Sequence, residues 1–389
     1  MILTKFKFLP VAVATVLLSA CGSSDNTTSA SCNADQFNMA IQTVAPNFGQ
    51  SSAVALGCST EATITDNLLI EDDSDYSVSS GSDSFYHIGR DSIDTIAKYQ
   101  FETSNLQDWK YSTNDALETG SSNPYKLIEV SDTKAYIIRY GKSDAWIVDP
   151  SATNSSDFKI GELDLSGYLE EGEATVNMSD AVIANGKLFI AMQRIGSSYN
   201  FSNDSKIAVF DVLTDTEIET SPANAADGKA ITIQGHNVQA LSSFNNTVFV
   251  ASRGDYAADY GLLESINTSD FSLQTIIAGS EEIGHIANVE AISSDRIYIL
   301  SDFSGSIAGT YTYQLNIHDV NVITKSITAE LTSYKGTHIS DIEMGPEGNL
   351  WIASSVSSNP GVYKIDTNTN TEIAFIETNQ NPTKVVFKK

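Results

Sequence analysis

The chain has 389 residues, of which 22 are Lys or Arg and 49 are Asp or Glu, giving a formal net charge of −27. That excess repels polyanions and so argues against nucleic-acid binding and against adsorption to anionic lipid headgroups. A chain of this length can form two ordinary domains or one large repeat domain, and an internal period decides between them.

Lys5 and Lys7 precede an apolar stretch from Phe8 to Leu18, too short to span a bilayer as a folded helix. The following Leu18-Ser19-Ala20-Cys21 resembles the bacterial lipoprotein cleavage box. The resemblance implies that residues 1–20 are a signal peptide and that Cys21 becomes the acylated (palmitate-bearing) first residue of the mature chain. Gly22 follows where an inner-membrane retention aspartate would stand, and the family rule then implies the outer membrane. Residues 21–31 read as anchor and tether, because "SSDNTTSA" has nothing to bury. An exported chain meets an oxidising compartment, so Cys32 and Cys58 are expected to form a disulfide.

From residue 32 to 389 a repeat runs through the chain. Six apolar runs, "FYHI", "AYII", "LFIA", "VFVA", "IYIL" and "LWIA", carry an aromatic at the second position: Tyr86, Tyr136, Phe189, Phe249, Tyr298 and Trp351. They recur at roughly fifty residues, the spacing of strand-built propeller blades. A short strand such as "SDAVI", "NVQAL", "NVEAI" or "DIEMG" precedes several of them, and a run such as "AWIVD", "IAVFD" or "GVYKID" follows. Regularly spaced short strands separated by turn residues predict an all-β fold. The C-terminal "NPTKVVF" reads as a first strand without a second. "SSAVALG" and "EATITDN" read as second and third strands without a first. Joining them predicts a seven-bladed β-propeller of four-stranded antiparallel blades, its closing blade shared by the two termini.

The unit "NGKLFIA…KIAVFDVLTDTEIET", with "NPGVYKIDTNTNTEIAFIETNQNPTKVVF", resembles the YVTN-type and quinoprotein-amine-dehydrogenase-like seven-bladed propellers over nearly the whole mature chain. That resemblance is specific for fold and unspecific for function. Bacterial lipoproteins of this architecture include partners of TonB-dependent transporters that capture siderophores or cobalamin.

The five arginines are placed unevenly. Arg90, Arg139, Arg194 and Arg253 each follow the aromatic run of one of four consecutive blades, whereas Arg296 starts a strand. His236, His285 and His338 precede the first strands of three blades. A residue just before a first strand and one just after the antiparallel second strand share one rim of the disc. Tyr140, Tyr199, Tyr256, Tyr260, Phe303 and Tyr311 occupy the same loops. Guanidinium forks beside aromatic faces suit an anionic ligand. Asp180, Gln239, Glu290 and Asp341 stand on the first strands, where they could instead pair with those arginines and tie blades together.

The expected function is an outer-membrane lipoprotein that binds an anionic small molecule or metal chelate (siderophore-, haem- or corrinoid-like) at this rim. Arg90, Arg139, Arg194, Arg253, Tyr140, Tyr256, His236, His285 and His338 would be the binding residues, with a TonB-dependent transporter as possible recipient. A lactonase- or dehydrogenase-type propeller enzyme using metal or quinone and a histidine base is the second expectation. An envelope scaffold for protein partners is the third. The chain lacks G-x-S-x-G, HExxH, Walker and dinucleotide-binding motifs, which favours binding over catalysis; it names no cofactor or metal. "EDDSDY" (71–76) and "NFSNDSK" (200–206) have the oxygen density of calcium loops without EF-hand spacing and read as solvated turns.

Overall fold

The computed structural model describes residues 32–46, 51–102, 107–201, 203–220, 228–255, 259–307, 310–336, 338–356 and 358–389. The leader, Cys21 and the tether lie outside these, as does Tyr256. The described residues contain no α-helix; they form seven antiparallel sheets.

Each sheet is one blade. Blade 1 holds β4 (Tyr76–Ser80), β5 (Ser84–Gly89), β6 (Thr95–Gln100) and β7 (Gln107–Ser112). Blade 2 holds β8 (Pro124–Ser131), β9 (Lys134–Arg139), β10 (Asp144–Val148) and β11 (Lys159–Asp164). Blade 3 has β12 (Met178–Ala184), β13 (Lys187–Met192) and β14 (Lys206–Asp211), its outer position filled by two short strands, β15 (Thr216–Glu217) and β16 (Ile231–Thr232). Blade 4 follows as β17 (Val238–Phe244), β18 (Thr247–Ser252), β19 (Leu262–Asn267) and β20 (Leu273–Ala278). Blade 5 comprises β21 (His285–Ala291), β22 (Arg296–Ile307), β23 (Thr310–Asn321) and β24 (Ser326–Glu330). Blade 6 comprises β25 (Ile339–Met344), β26 (Leu350–Ser354), β27 (Gly361–Asp366) and β28 (Thr371–Glu377).

The closing blade runs β29 (Asn381–Phe387), β1 (Met39–Val44), β2 (Ser52–Cys58), β3 (Thr63–Glu71) from the centre outward. The C-terminus therefore supplies the innermost strand, as the repeat predicts. The N-terminus supplies three strands rather than two, so "SSAVALG" is the third strand and "EATITDN" begins the fourth. The second is "MAIQTV", which lacks the aromatic that marks the other second strands. Cys32 and Cys58 are joined, which ties the chain ahead of β1 to the end of β2.

Hydrophobic packing explains the apolar runs. Seven buried clusters occupy the seven junctions between neighbouring blades. Alternate residues of a second strand face opposite junctions: Tyr136 packs toward blade 3 and Ile137 toward blade 1. Both faces are covered, so the sequence reads as continuous apolar residues rather than as alternation. Tyr86, Tyr136, Phe189, Phe249, Tyr298 and Trp351 are all fully buried.

The inner strands, each packed beside the next around the ring, are sheet edges facing the central channel. Their free main-chain N–H groups need acceptors. Neighbouring blades provide them: Leu127 N donates to Ser79 Oγ (3.1 Å), Leu241 N to Asp180 Oδ2 (2.8 Å), Ala291 N to Ser242 Oγ (3.1 Å) and Val385 N to Asp341 Oδ2 (3.0 Å). In six blades the inner strand also breaks register near its start. The break leaves Tyr125, Ser179, Gln239, Ala287, Ser340 and Thr383 without a cross-strand partner. Such bulges re-aim side chains, and five of these six line the channel.

Candidate functional site

The inner strands begin at one rim and the second strands end there, so the arginines and histidines do share it. Arg253 N donates to Asn237 O and Gly254 N to His236 O, both at 3.0 Å. Tyr140 N to Asn123 O and Arg194 N to Val176 O repeat the clamp in blades 2 and 3. Asn123, Asn177 and Asn237 hold a left-handed backbone immediately before the inner strands of blades 2, 3 and 4 (φ 44°, 53° and 56°). Asparagine tolerates this conformation better than most residues. The Asn177 and Asn237 side chains also bind the arginine loops, through Ile195 N and Gly254 O. These asparagines, one per blade in "SSNPY", "TVNMS" and "GHNVQ", are a repeat signal that the sequence expectations did not use.

Every rim arginine faces carboxylates of the same chain. Arg139 has no exposed side-chain surface. It lies between Asp144 (2.5 Å) and Glu118 (2.5 Å), with its guanidinium 4.4 Å from the centre of the Trp146 ring. Arg253 binds Asp302 of blade 5 through two nitrogens, at 3.0 and 2.7 Å. Arg194 pairs with Glu170 and donates to Tyr168 O and Asp204 O. Arg90 lies 3.6 Å from Asp75 and stacks over Tyr125, 4.1 Å from the ring centre. None of these four pairs involves Asp180, Gln239, Glu290 or Asp341.

Two groups form around the expected residues, the first through Tyr125, which was not among them. Arg90, Tyr125 and Tyr140 form a stack from blade 1 into blade 2, with Tyr125 and Tyr140 ring centres 4.5 Å apart. The Tyr140 hydroxyl continues it to Gln193 Oε1 of blade 3 (3.1 Å). His285 is buried; its Nδ1 lies 3.0 Å from Arg253 O, and its ring lies 4.7 Å from that of Tyr260. His236 stands apart from both, 31 % exposed, its Nδ1 3.1 Å from Asp259 Oδ2 and its Nε2 3.7 Å from Asp204. His338 is exposed, and its carbonyl accepts from Ser355 N, where blade 6 has serine in place of arginine. His87 and His318 are buried packing residues, and burial lowers both pKa values, that of His87 to about 3. Among the described residues no group of three His, Cys, Asp or Glu side chains is arranged to hold a metal ion.

The open volume lies inside the ring. A cavity of about 700 Å³ follows the channel and is lined by the inner strands of all seven blades. That volume lies within the range of small-molecule sites. Ser77, Ser179, Gln239, Asn288 and Ser340 offer hydroxyl and amide groups, and Lys126, Lys384 and Lys389 offer ammonium groups. Lys126 pairs with Asp180 (2.6 Å), and Lys384 with Asp341 (3.0 Å) and Glu343 (3.2 Å). Glu290 shares this cluster, and burial followed by the charge of Glu343 pushes its carboxyl well above the usual range. Asp180, Gln239 and Glu290 thus line the channel, serving lysines and main-chain groups rather than the arginines expected as their partners.

No protein-family model and no curated protein matches the chain. Solved structures do. A candidate 6-phosphogluconolactonase of Bacteroides uniformis superposes over 91 % of this chain and 99 % of its own, with TM-score 0.59 and 14 % identity. A Lactobacillus plantarum protein superposes over 91 % and 100 %, with TM-score 0.60 and 14 % identity. The periplasmic gluconolactonase of Pseudomonas aeruginosa superposes over 90 % and 98 %, with TM-score 0.57 and 11 % identity. At such identities the likeness extends to the fold alone. In that fold the chain is a seven-bladed antiparallel β-propeller closed by its two ends.

Proposed function

We propose that this protein is an envelope lipoprotein, anchored through Cys21, that binds a small polar molecule in the propeller channel without transforming it. The observation that carries this is the channel itself, with a volume of about 700 Å³ and hydrogen-bonding side chains from all seven blades. Serine hydroxyls and the Gln239 and Asn288 amides suit a ligand rich in hydroxyl or carbonyl oxygens. Lys126 and Lys384 are held by carboxylates, so Lys389 is the channel ammonium that suits an anionic group or a chelate, which keeps the expected ligand class while moving its contact inward. The rim arginines, already opposed by carboxylates, shape the mouth. Tyr140 and His236 are the rim side chains best placed to meet a ligand on its way in. Transfer to an outer-membrane transporter remains part of the proposal.

Native mass spectrometry of the protein from its own host's envelope tests this. The expected result is a discrete added mass that is lost in Ala287→Trp, which fills the channel at an inner-strand bulge, and kept in the Arg194→Ala/Arg253→Ala protein. The opposite pattern would return the site to the rim arginines. A bare polypeptide mass throughout would overturn small-molecule binding.

One observation favours catalysis as a second reading. His236, half-exposed at the mouth and 3.1 Å from Asp259, has the arrangement of a carboxylate-oriented general base. Gluconolactonase is the activity named for one protein of the same fold. Hydrolysis of sugar lactones that is abolished by His236→Gln would establish it, and no turnover would dismiss it.

A further inference from the structure

Blade 5 is built differently from its neighbours. Its second and third strands, β22 and β23, run twelve residues each, whereas β13, β14, β18 and β19 run six. The inner strand β21 starts at His285, opposite Asp302, and the outer strand β24 extends only to the partner of His318. Beyond those points β22 and β23 continue as a two-stranded ribbon, from the pair Phe303↔Gln314 to the pair Ile307↔Thr310. At roughly 3.3 Å per residue, five pairs carry it about 16 Å past the disc. It leaves from the rim that carries Arg253 and His285. Its base is held firmly: Phe303 and Leu315 are buried, and Asp302 is gripped by Arg253.

The ribbon has two free edges. Among the described residues no third strand pairs with it on either side. Sheet edges in soluble proteins are normally guarded by charged side chains, proline or bulges. Residues 303–317, "FSGSIAGTYTYQLNI", contain no charged residue and no proline, although the whole chain is 18 % charged. The ladder of β22 with β23 has no register break over its length. The inner-strand edges of this same fold, by contrast, are capped by side chains of the next blade.

We infer that this ribbon docks a partner protein by strand addition, taking up an extended segment that is uncharged where it pairs and basic on either side. Main-chain hydrogen bonds to the open edge supply the affinity. The partner's charge follows from the chain's: a net charge of −27 repels an acidic segment and equally repels a second copy of this protein, while drawing in flanking lysines or arginines. The inference is independent of what the channel binds.

The test uses the full mature chain and a labelled synthetic peptide, an alternating threonine–valine run flanked by paired lysines, followed by fluorescence anisotropy. Control peptides carry a central proline or flanking glutamates. Two protein variants accompany the wild type. In one, residues 304–313 are replaced by Asn-Gly, so that a two-residue turn joins Phe303 to its opposite number Gln314. The other, Ser304→Lys/Thr312→Lys, guards the edges without shortening the ribbon. The wild type should bind the lysine-flanked peptide about tenfold or more tighter than either control, with slowed amide exchange in 303–307 and 310–314. Both variants should lose that margin at an unchanged melting temperature. Equal binding by the variants, or none by the wild type, overturns the inference. So does a concentration-dependent dimer in sedimentation that disappears with the ribbon, since the occupant would then be a second copy. If the shortened protein fails to fold, the lysine variant decides alone.

Discussion

Asp341 and Glu343 share the ammonium of Lys384, at 3.0 and 3.2 Å, with Glu290 beside them in the channel wall. Three carboxylates around one cation cannot all ionise cheaply away from bulk water. Burial raises the Asp341 carboxyl to about 6, against the pull of Lys384 and with the push of Glu343. A carboxyl whose folded pKa exceeds its unfolded value holds its proton more tightly in the folded state. Its contribution therefore favours folding at low pH and is lost as pH rises from about 4 through 6. Replacing Asp341 with Asn removes that loss, so the melting temperature of wild type relative to Asp341→Asn should fall across this interval. A difference that stays flat, or rises with pH, would show that attraction to Lys384 dominates. At this scale the sequence was partly legible. The position of Arg253 relative to His236 followed from antiparallel pairing alone. The partners of the arginines did not, because Asp302, Glu170 and Glu118 lie in blades or loops whose spacing from the arginine carries no period.

Inner strands gain their place in the ring through side chains that reach across to the next blade. Ser242 Oγ accepts from Ala291 N, a group with no ladder partner on the channel side. Ser242→Ala should cost on the order of 1–2 kcal/mol in denaturant unfolding, since a partly buried donor is left unpaired. Loss of no measurable stability would mean that channel water replaces the hydroxyl. Elements with a fixed aromatic mark were readable: β5, β9, β13, β18, β22 and β26 all fall on the six quoted runs. Elements without it were not. β1 is buried at every position yet reads only as a short apolar stretch, so "SSAVALG" takes its place as the second strand when the sequence is read alone. The length of β22 and β23 was equally hidden, because the tip supplies small and aromatic residues in place of a clear turn signal.

Ring closure joins the two ends of the chain in one blade: β29 pairs with β1 from Met39↔Phe387 to Val44↔Asn381. The disulfide Cys32–Cys58 spans 26 residues of that blade. Reducing it, or replacing both cysteines with serine, should lower unfolding stability by about 2–4 kcal/mol. Hydrogen exchange should speed first in β1 and β2. Unchanged exchange there would mean that packing at the first and sixth blade junctions holds these strands unaided.

The disulfide also decides how the disc carries a load. Both Cys32 and Cys58 lie at the rim where β29 ends, opposite the arginines, because Cys58, bonded to Cys32, follows Gly57, and Met39 pairs with both Gly57 and Phe387. A pull on the chain ahead of Cys32 is therefore shared between the start of β1 and the end of β2, two adjacent strands drawn in the same direction. Their ladder to one another is not sheared. The tension passes instead to the β1–β29 and β2–β3 ladders, so the blade resists as a sheet rather than unravelling one strand at a time.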